Sequence, residues 1–456
     1  MIQDADKKLE RQLRLFRRKT GGSREAILRA KRFIPGGVNG DEFLFQPYPL
    51  VLDAAAGATI TDVDGNTFTD FYTAAGSLIL GHAHKRVIAA ISETLETMGT
   101  TLTGAPNVLE SRLASQITDI VPSAERVRFT SSGHDANLLA IRLCLAARRG
   151  EKVGKFEGHY HGSFSYGVVS ARIPRGQWGP VSAPFPYPSS AEIKEHELYS
   201  TVVMPFNRLD ETISIIKQKR RELACVILEA VAGGYRVATR DFLKGVREIT
   251  EKYDIPLILD ETTTGFRVAL GGAEERFRVT PDLATFGKII GGGLPAGALV
   301  GKREMMDLLS ASRKESKSVM HSGIFNGNPL SMAAGLSTIS QLSKEGTYAY
   351  LDKMAQMIRR QIEGLSMAYG VPVQPLGLSS IINPFFTRGK VLNYRDSFKQ
   401  DLAARYLFDM CILNAGIYVQ PGQPWYLCTA LTKPDIHHAL EVLESVFDYL
   451  SKPLKV

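Results

Sequence analysis

The chain has 456 residues, 44% of them hydrophobic and 22% charged. That length has room for about three domains at roughly 150 residues each, and the composition excludes a wholly disordered or collagen-like protein. The net charge of +8 would suit a polyanion partner if it were spread out, but residues 1–33 hold eleven Lys and Arg against four Asp and Glu, while the rest holds 44 against 43. With no recognised motif beside this basic segment, a nucleic-acid partner is not expected.

Residues 7–33 have helical composition, interrupted at Thr20-Gly21-Gly22-Ser23 and ended by Pro35-Gly36-Gly37. They predict two short basic helices, an arm that packs on a dimer surface or stays solvated. Asp4, Asp6 and Glu10 lie among the basic residues without an apolar h-region, which argues against a targeting peptide. Residues 50–71 alternate around Val63-Asp64-Gly65-Asn66 and predict a β-hairpin.

From there to about residue 330, short apolar strands alternate with amphipathic helices. Residues 126–130 precede a helix near 135–148, residues 224–229 precede one near 240–253, and 256–260 is a further strand. This βαβ punctuation predicts an α/β fold with a mostly parallel central sheet. After Pro329 come helices near 331–343 and 347–369, mixed short strands and a closing helix near 434–450, read as a smaller α+β domain. The expected division is therefore 1–75 (helical arm and hairpin), 76–329 (large domain) and 330–456 (small C-terminal domain). Cys144, Cys225, Cys411 and Cys428 are too scattered for a disulfide framework or a CxxC metal site. Their spacing predicts a reducing, cytoplasmic compartment. No apolar run approaches the roughly 18 residues of a membrane span, so no membrane partner is expected.

Open parallel sheets place ligands at the carboxyl ends of strands, so polar residues that end apolar runs are the first candidates. Val226-Ile227-Leu228 ends in Glu229 and Leu257-Ile258-Leu259 in Asp260. Ala284-Thr285-Phe286-Gly287 ends in Lys288, which Ile289-Ile290-Gly291-Gly292-Gly293 follows. A lone lysine is most often a solvated surface residue and a Gly-Gly-Gly run a loop; the alternative is an ammonium among apolar residues, whose depressed pKa makes it a nucleophilic amine. Gly287-Lys288 is not a phosphate-binding P-loop, because Asp282 stands where that motif needs glycine and Ile289 where it needs Ser or Thr. Thr130-Ser131-Ser132-Gly133-His134-Asp135-Ala136-Asn137 is the better phosphate cradle, at the start of a helix where N–H groups point at an anion. A plain Ser N-cap is its alternative. His159-Tyr160-His161 has no third ligand in spacing, so no metal is expected there.

Together these motifs resemble the class III, fold type I pyridoxal phosphate aminotransferases, in particular the glutamate-1-semialdehyde aminomutase-like branch. The resemblance runs from Pro35-Gly36-Gly37-Val38-Asn39 onward. It rests on Ser132-Gly133-His134-Asp135-Ala136, Phe156-Glu157-Gly158-His159-Tyr160-His161-Gly162, Asp260-Glu261-Thr262-Thr263-Thr264-Gly265-Phe266-Arg267, Phe286-Gly287-Lys288 and Gly327-Asn328-Pro329. It implies a homodimeric enzyme using pyridoxal 5′-phosphate to move amino groups between a small amine or amino acid and a keto or aldehyde acceptor. Lys288 would bond to the cofactor's aldehyde carbon and then shuttle a proton. Asp260 would hold the pyridine nitrogen protonated. Ser132, Gly133 and His134 would hold the phosphate, Tyr160 would stack on the ring, Thr262 would lie on the opposite face, and Asn207 and Glu229 match polar positions nearby.

The chain departs from the family at points that bear on substrate. His134 and Asp135 replace Thr and Glu, and Ile324 stands where a threonine usually reaches the partner subunit's phosphate. Thr262 replaces a valine. Phe43, in Gly40-Asp41-Glu42-Phe43, stands where the aminomutases carry an arginine that grips the substrate carboxylate, and their tryptophan near Ala75 is absent. Conversion of glutamate-1-semialdehyde is therefore not expected, and Arg236 or Arg267 would have to serve any substrate carboxylate. An isomerase, aminomutase or racemase, using the same lysine is the alternative activity. A non-catalytic relative would have no use for Lys288 beside Asp260.

Overall fold

The computed structural model describes residues 2–310 and 318–454. The chain forms two compact units, one from Met1–His84, Ala349–Lys390 and Lys399–Val456, the other from Lys85–Tyr348 and Val391–Phe398. These boundaries differ from cuts after residues 75 and 329, because long-range pairing joins the chain's two ends. Leu52–Ala56 (β1), Thr59–Asp62 (β2) and Thr67–Asp70 (β3) form an antiparallel meander, and the strand Ile417–Tyr418 adds to it parallel to β3. Residues 50–71 thus hold one strand more than the predicted hairpin. The Val63–Asn66 turn joins β2 to β3, while a turn at Gly57 with φ 59° brings in β1.

The basic N-terminal segment folds as Ala5–Lys19 and Gly21–Ala30, broken at Thr20 alone. Its glycines enter the second helix because Asp64 caps that helix, accepting from Gly22 N at 2.5 Å and Ser23 N at 2.9 Å. The arm does not stand free. Phe16 and Ile27 pack in a core with Tyr48, Ile60, Phe68 and Leu413, and the buried Lys8 Nζ donates to Leu450 O at 2.9 Å. Its apolar stripe lies inside its own unit and its arginines face outward, as an amphipathic helix requires.

The larger unit is built on seven strands: Arg126–Thr130 (β4), Lys152–Phe156 (β5), Thr201–Met204 (β6), Leu223–Glu229 (β7), Leu257–Asp260 (β10), Leu283–Phe286 (β11) and Gly297–Gly301 (β12). The short ribbon Val231–Ala232 (β8) and Arg236–Val237 (β9) follows β7. The sheet order is β4-β12-β11-β10-β7-β5-β6, with only β12 antiparallel to its neighbours. Val226, Ile227, Leu228, Ile258, Leu283 and Leu299 are fully buried, as strands covered on both faces must be. Helix Gly133–Ala147 packs Leu139, Ile141 and Leu143 into this core. Helix Pro329–Leu342 also belongs here, its Ser331 Oγ donating to Pro295 O at 2.8 Å. In register, Asp260 lies opposite Glu229 on β7 and Thr285 on β11, which places the candidate residues together at one sheet end.

Candidate active site

Where β4 ends, Ser132 N-caps helix Gly133–Ala147, its hydroxyl accepting from Asp135 N at 3.2 Å. Packing dictates glycine next. A Cβ on Gly133 would sit 2.7 Å from Thr262 Cγ2, and one on Gly287 would lie 3.0 Å from Gly133 Cα. Three turns, after β4, β10 and β11, therefore close on one another, with the helix N-terminus, Thr262 and the residue before Lys288 in contact.

Asp260 is 4% exposed, and its charge is sustained by bonds. Oδ2 accepts from His161 Nδ1 at 2.7 Å and Asn137 Nδ2 at 2.8 Å, and Oδ1 accepts from Thr262 N at 3.0 Å. Burial disfavours the carboxylate, but the His161 and Thr262 hydrogen bonds prevail and hold the carboxyl below its usual range. Burial also keeps His161 below the usual imidazole range, in spite of Asp260. His161 is thus a neutral ring donating through Nδ1.

Lys288 has φ 51°, a left-handed conformation that costs a non-glycine residue about 1–3 kcal/mol and gathers at functional sites. Its Nζ donates to Thr263 Oγ1 at 2.8 Å. The turn bearing Thr262 and Thr263 is anchored by the fully buried Glu261, whose carboxyl accepts from Ala273 N and Glu274 N, each at 3.0 Å, and from the Thr264 hydroxyl. Burial pushes Glu261 up to about 7.

Glu229 accepts from Tyr160 N at 3.3 Å, and its own N–H donates to His159 Nδ1 at 3.1 Å. Burial, with the Asp260 charge adding to it, raises its carboxyl to about 8. Because His159 Nδ1 is an acceptor and burial holds that ring well below its usual pKa, its 4.0 Å approach to Glu229 is no ion pair. Each histidine of the HxH pair is committed to a different partner. Tyr160 is exposed, its hydroxyl 2.8 Å from Ser163 Oγ. His134 Nδ1 accepts from Ser163 N at 3.0 Å, which leaves Nε2 as the donor of the neutral ring.

Asn207 is set apart by its bonds. Nδ2 donates to Val237 O and Leu392 O, and Oδ1 accepts from Thr239 N, so its amide clamps the β8–β9 ribbon and the 391–398 segment. Ile324 lies exposed on the loop before Gly327. Neither arginine suggested for a substrate carboxylate is accessible. Arg236 donates to Gly158 O at 2.7 Å and to the Tyr235 hydroxyl, and Arg267 is 0% exposed. Sequence reading missed three contributors. Asn137 and His161 reach Asp260 from other elements, and Thr263 reaches Lys288. The strings that contain them were visible, but no spacing signals a contact across such separations.

The set fits pyridoxal phosphate on observations of this chain alone. A glycine cradle that a Cβ would fill stands at a helix N-terminus. A buried ionised carboxylate and a lysine stand beside it.

Known proteins point the same way. The chain is 38% identical over 426 residues to glutamate-1-semialdehyde 2,1-aminomutase 2 of Brevibacillus brevis, covering 92% of this chain and 96% of that protein. It is 37% identical to the glutamate-1-semialdehyde 2,1-aminomutase of Methanobrevibacter smithii, covering 95% and 98%. An omega-transaminase from Sphaerobacter thermophilus superposes with a TM-score of 0.90 at 31% identity, over 96% of this chain and 99% of that one. A beta-phenylalanine aminotransferase from Variovorax paradoxus superposes at 0.86 and 29%, over 98% of each. Residues 45–378 match the family described as aminotransferase class III, and the chain belongs to that enzyme family.

Proposed function

We propose that the protein is a pyridoxal phosphate-dependent aminotransferase that moves an amino group between a non-standard amine or amino acid and a keto or aldehyde acceptor. The observation that carries this reading is the closure of the Gly133, Thr262 and Gly287 turns beside Lys288 and the ionised Asp260. When bound, the cofactor supplies an aldehyde that condenses with amines and a ring that accepts electron density from the adjacent carbon. The chain's own residues do the rest. Ser132, Gly133 and the Nε2–H of His134 would hold the phosphate at the helix N-terminus. Asp260, kept ionised by His161 and Thr262, would hold the ring nitrogen protonated. Tyr160 and Thr262 would confine the ring, Glu229 would offer a polar group near it, and Lys288 Nζ would take and return a proton.

Phe43, at the place of the aminomutase arginine, supports a substrate other than glutamate-1-semialdehyde, because a desolvated carboxylate without a cation is costly. Two identical subunits working together suit the exposed Val108, Met320, Ile324 and Phe325, with Ile324 turned to the partner. Four free, buried cysteines suit the cytoplasm. The 37–38% identity to aminomutases favours, as a second reading, an isomerase using the same residues.

Mixing the reconstituted protein with single amines in the absence of acceptor separates the two. An aminotransferase releases one keto or aldehyde product per site and stops. An isomerase turns over continuously to an isomeric amine. No reaction across a broad panel of amines would count against both.

A further inference from the structure

We propose that Thr263 is a positioning residue for Lys288, its hydroxyl fixing the direction and protonation of the lysine amine whenever that amine is not bonded to the cofactor. The inference rests on the role given to Lys288 above. A lysine has four rotatable side-chain bonds, so an amine that must meet the same atoms at every turnover needs its tip held as well as its base. In this chain both are held. At the base, Lys288 has φ 51°, and the preceding Gly287 is packed against Gly133 and Thr262. At the tip, Nζ donates to Thr263 Oγ1 at 2.8 Å.

Thr263 is a firm support. It is β-branched and stiff at χ1. Its turn is tied at both ends, by Thr262 N to Asp260 Oδ1 at 3.0 Å and by Gly265 N to Glu261 O at 2.7 Å. The buried Glu261 carboxyl pins the same turn to Ala273 N and Glu274 N. An acceptor aimed at an amine stabilises the ammonium over the free base. Thr263 therefore favours the form of Lys288 that carries the proton, and no bond other than the hydrogen bond is made or broken. Glu229 acts on Lys288 through its charge in the same direction, and Asp260 in turn acts on Glu229.

The test uses the full chain stripped of cofactor. The rate at which pyridoxal phosphate attaches is followed from neutral to alkaline pH, because attachment needs the unprotonated amine. Thr263→Val is expected to move the midpoint down by about one pH unit, and Thr263→Ser to restore it. Thr263→Ala serves should the valine variant fold poorly, judged by its thermal midpoint. Because Glu229 is raised to about 8, the comparison is repeated in Glu229→Gln, where the same shift is expected. Unchanged midpoints in the valine and alanine variants, a serine variant that behaves like them, or a shift that vanishes in Glu229→Gln would each overturn the inference. Borohydride labelling separates its failure from that of the functional reading. Cofactor fixed to the Lys288 peptide with an unchanged midpoint sinks this inference alone, whereas no fixation there sinks both.

Discussion

His161 Nδ1 lies 2.7 Å from Asp260 Oδ2, and it is this bond, with Thr262 on the other oxygen, that lets a carboxyl 4% exposed stay ionised. A hydrogen bond to a charged group is worth about 1.5–3 kcal/mol. His161→Phe, which keeps ring volume and removes the donor, should therefore weaken cofactor binding by roughly 10- to 100-fold. Absorbance titration of the cofactor-free protein checks this, and an unchanged affinity would show that Asp260 needs no such support.

Gly133→Ala should destabilise the protein by about 1–3 kcal/mol, since the new methyl meets Thr262 Cγ2 at 2.7 Å in a closely packed junction. Adding Thr262→Ala removes the obstructing atoms and should recover part of the loss. Denaturant melts of the two single variants and the double variant measure this coupling. Strict additivity would mean that the two residues do not meet.

His134→Ala should lower affinity for pyridoxal phosphate by roughly 10-fold while leaving affinity for pyridoxal, which has no phosphate, nearly unchanged. The distinction isolates the Nε2 donor that the Ser163 bond leaves available. Equal losses with both ligands would assign His134 to the scaffold.

The stability profile should carry the mark of the buried carboxyls. Glu229 and Glu274 are raised to about 8 and Glu261 to about 7, in each case chiefly by burial, from an ordinary 4.5. The folded state then binds more protons than the unfolded one between those limits, so stability is full below about pH 4.5 and falls as pH rises towards 8. Lys155, lowered to about 7 by burial, acts with the opposite sign and only above that pH. Glu274→Gln, which cannot ionise, should flatten the fall measured by thermal melts across that window. An equally steep fall would show that Glu274 does not contribute to it.

Much of the site could be read from the chain because β7 and β10 are short apolar runs that end in Glu229 and Asp260, and β11 is one that Gly287 and Lys288 follow. A buried parallel strand must be apolar, so the polar residue where the run stops marks the sheet end. Other features left no such trace. β12 is Gly-Ala-Leu-Val-Gly, too short and glycine-bounded to separate from the preceding loop, and its insertion between β4 and β11 is a matter of pairing. β1 lies inside the predicted hairpin but merges there with β2, because the lone Gly57 does not by itself mark the turn between them. The basic arm reads as independent by its charge, whereas Phe16 and Ile27 carry it into the core. Asn137 and His161 lie on a helix and a loop far from Asp260 in sequence, and only the folded sheet brings them to it.

The most direct measurement is borohydride reduction of the protein reconstituted with pyridoxal phosphate, followed by peptide mapping. The account predicts reduced cofactor on the peptide containing Lys288 and loss of that label in Lys288→Ala. Label on a different lysine, or no cofactor bound at all after reconstitution, would contradict it.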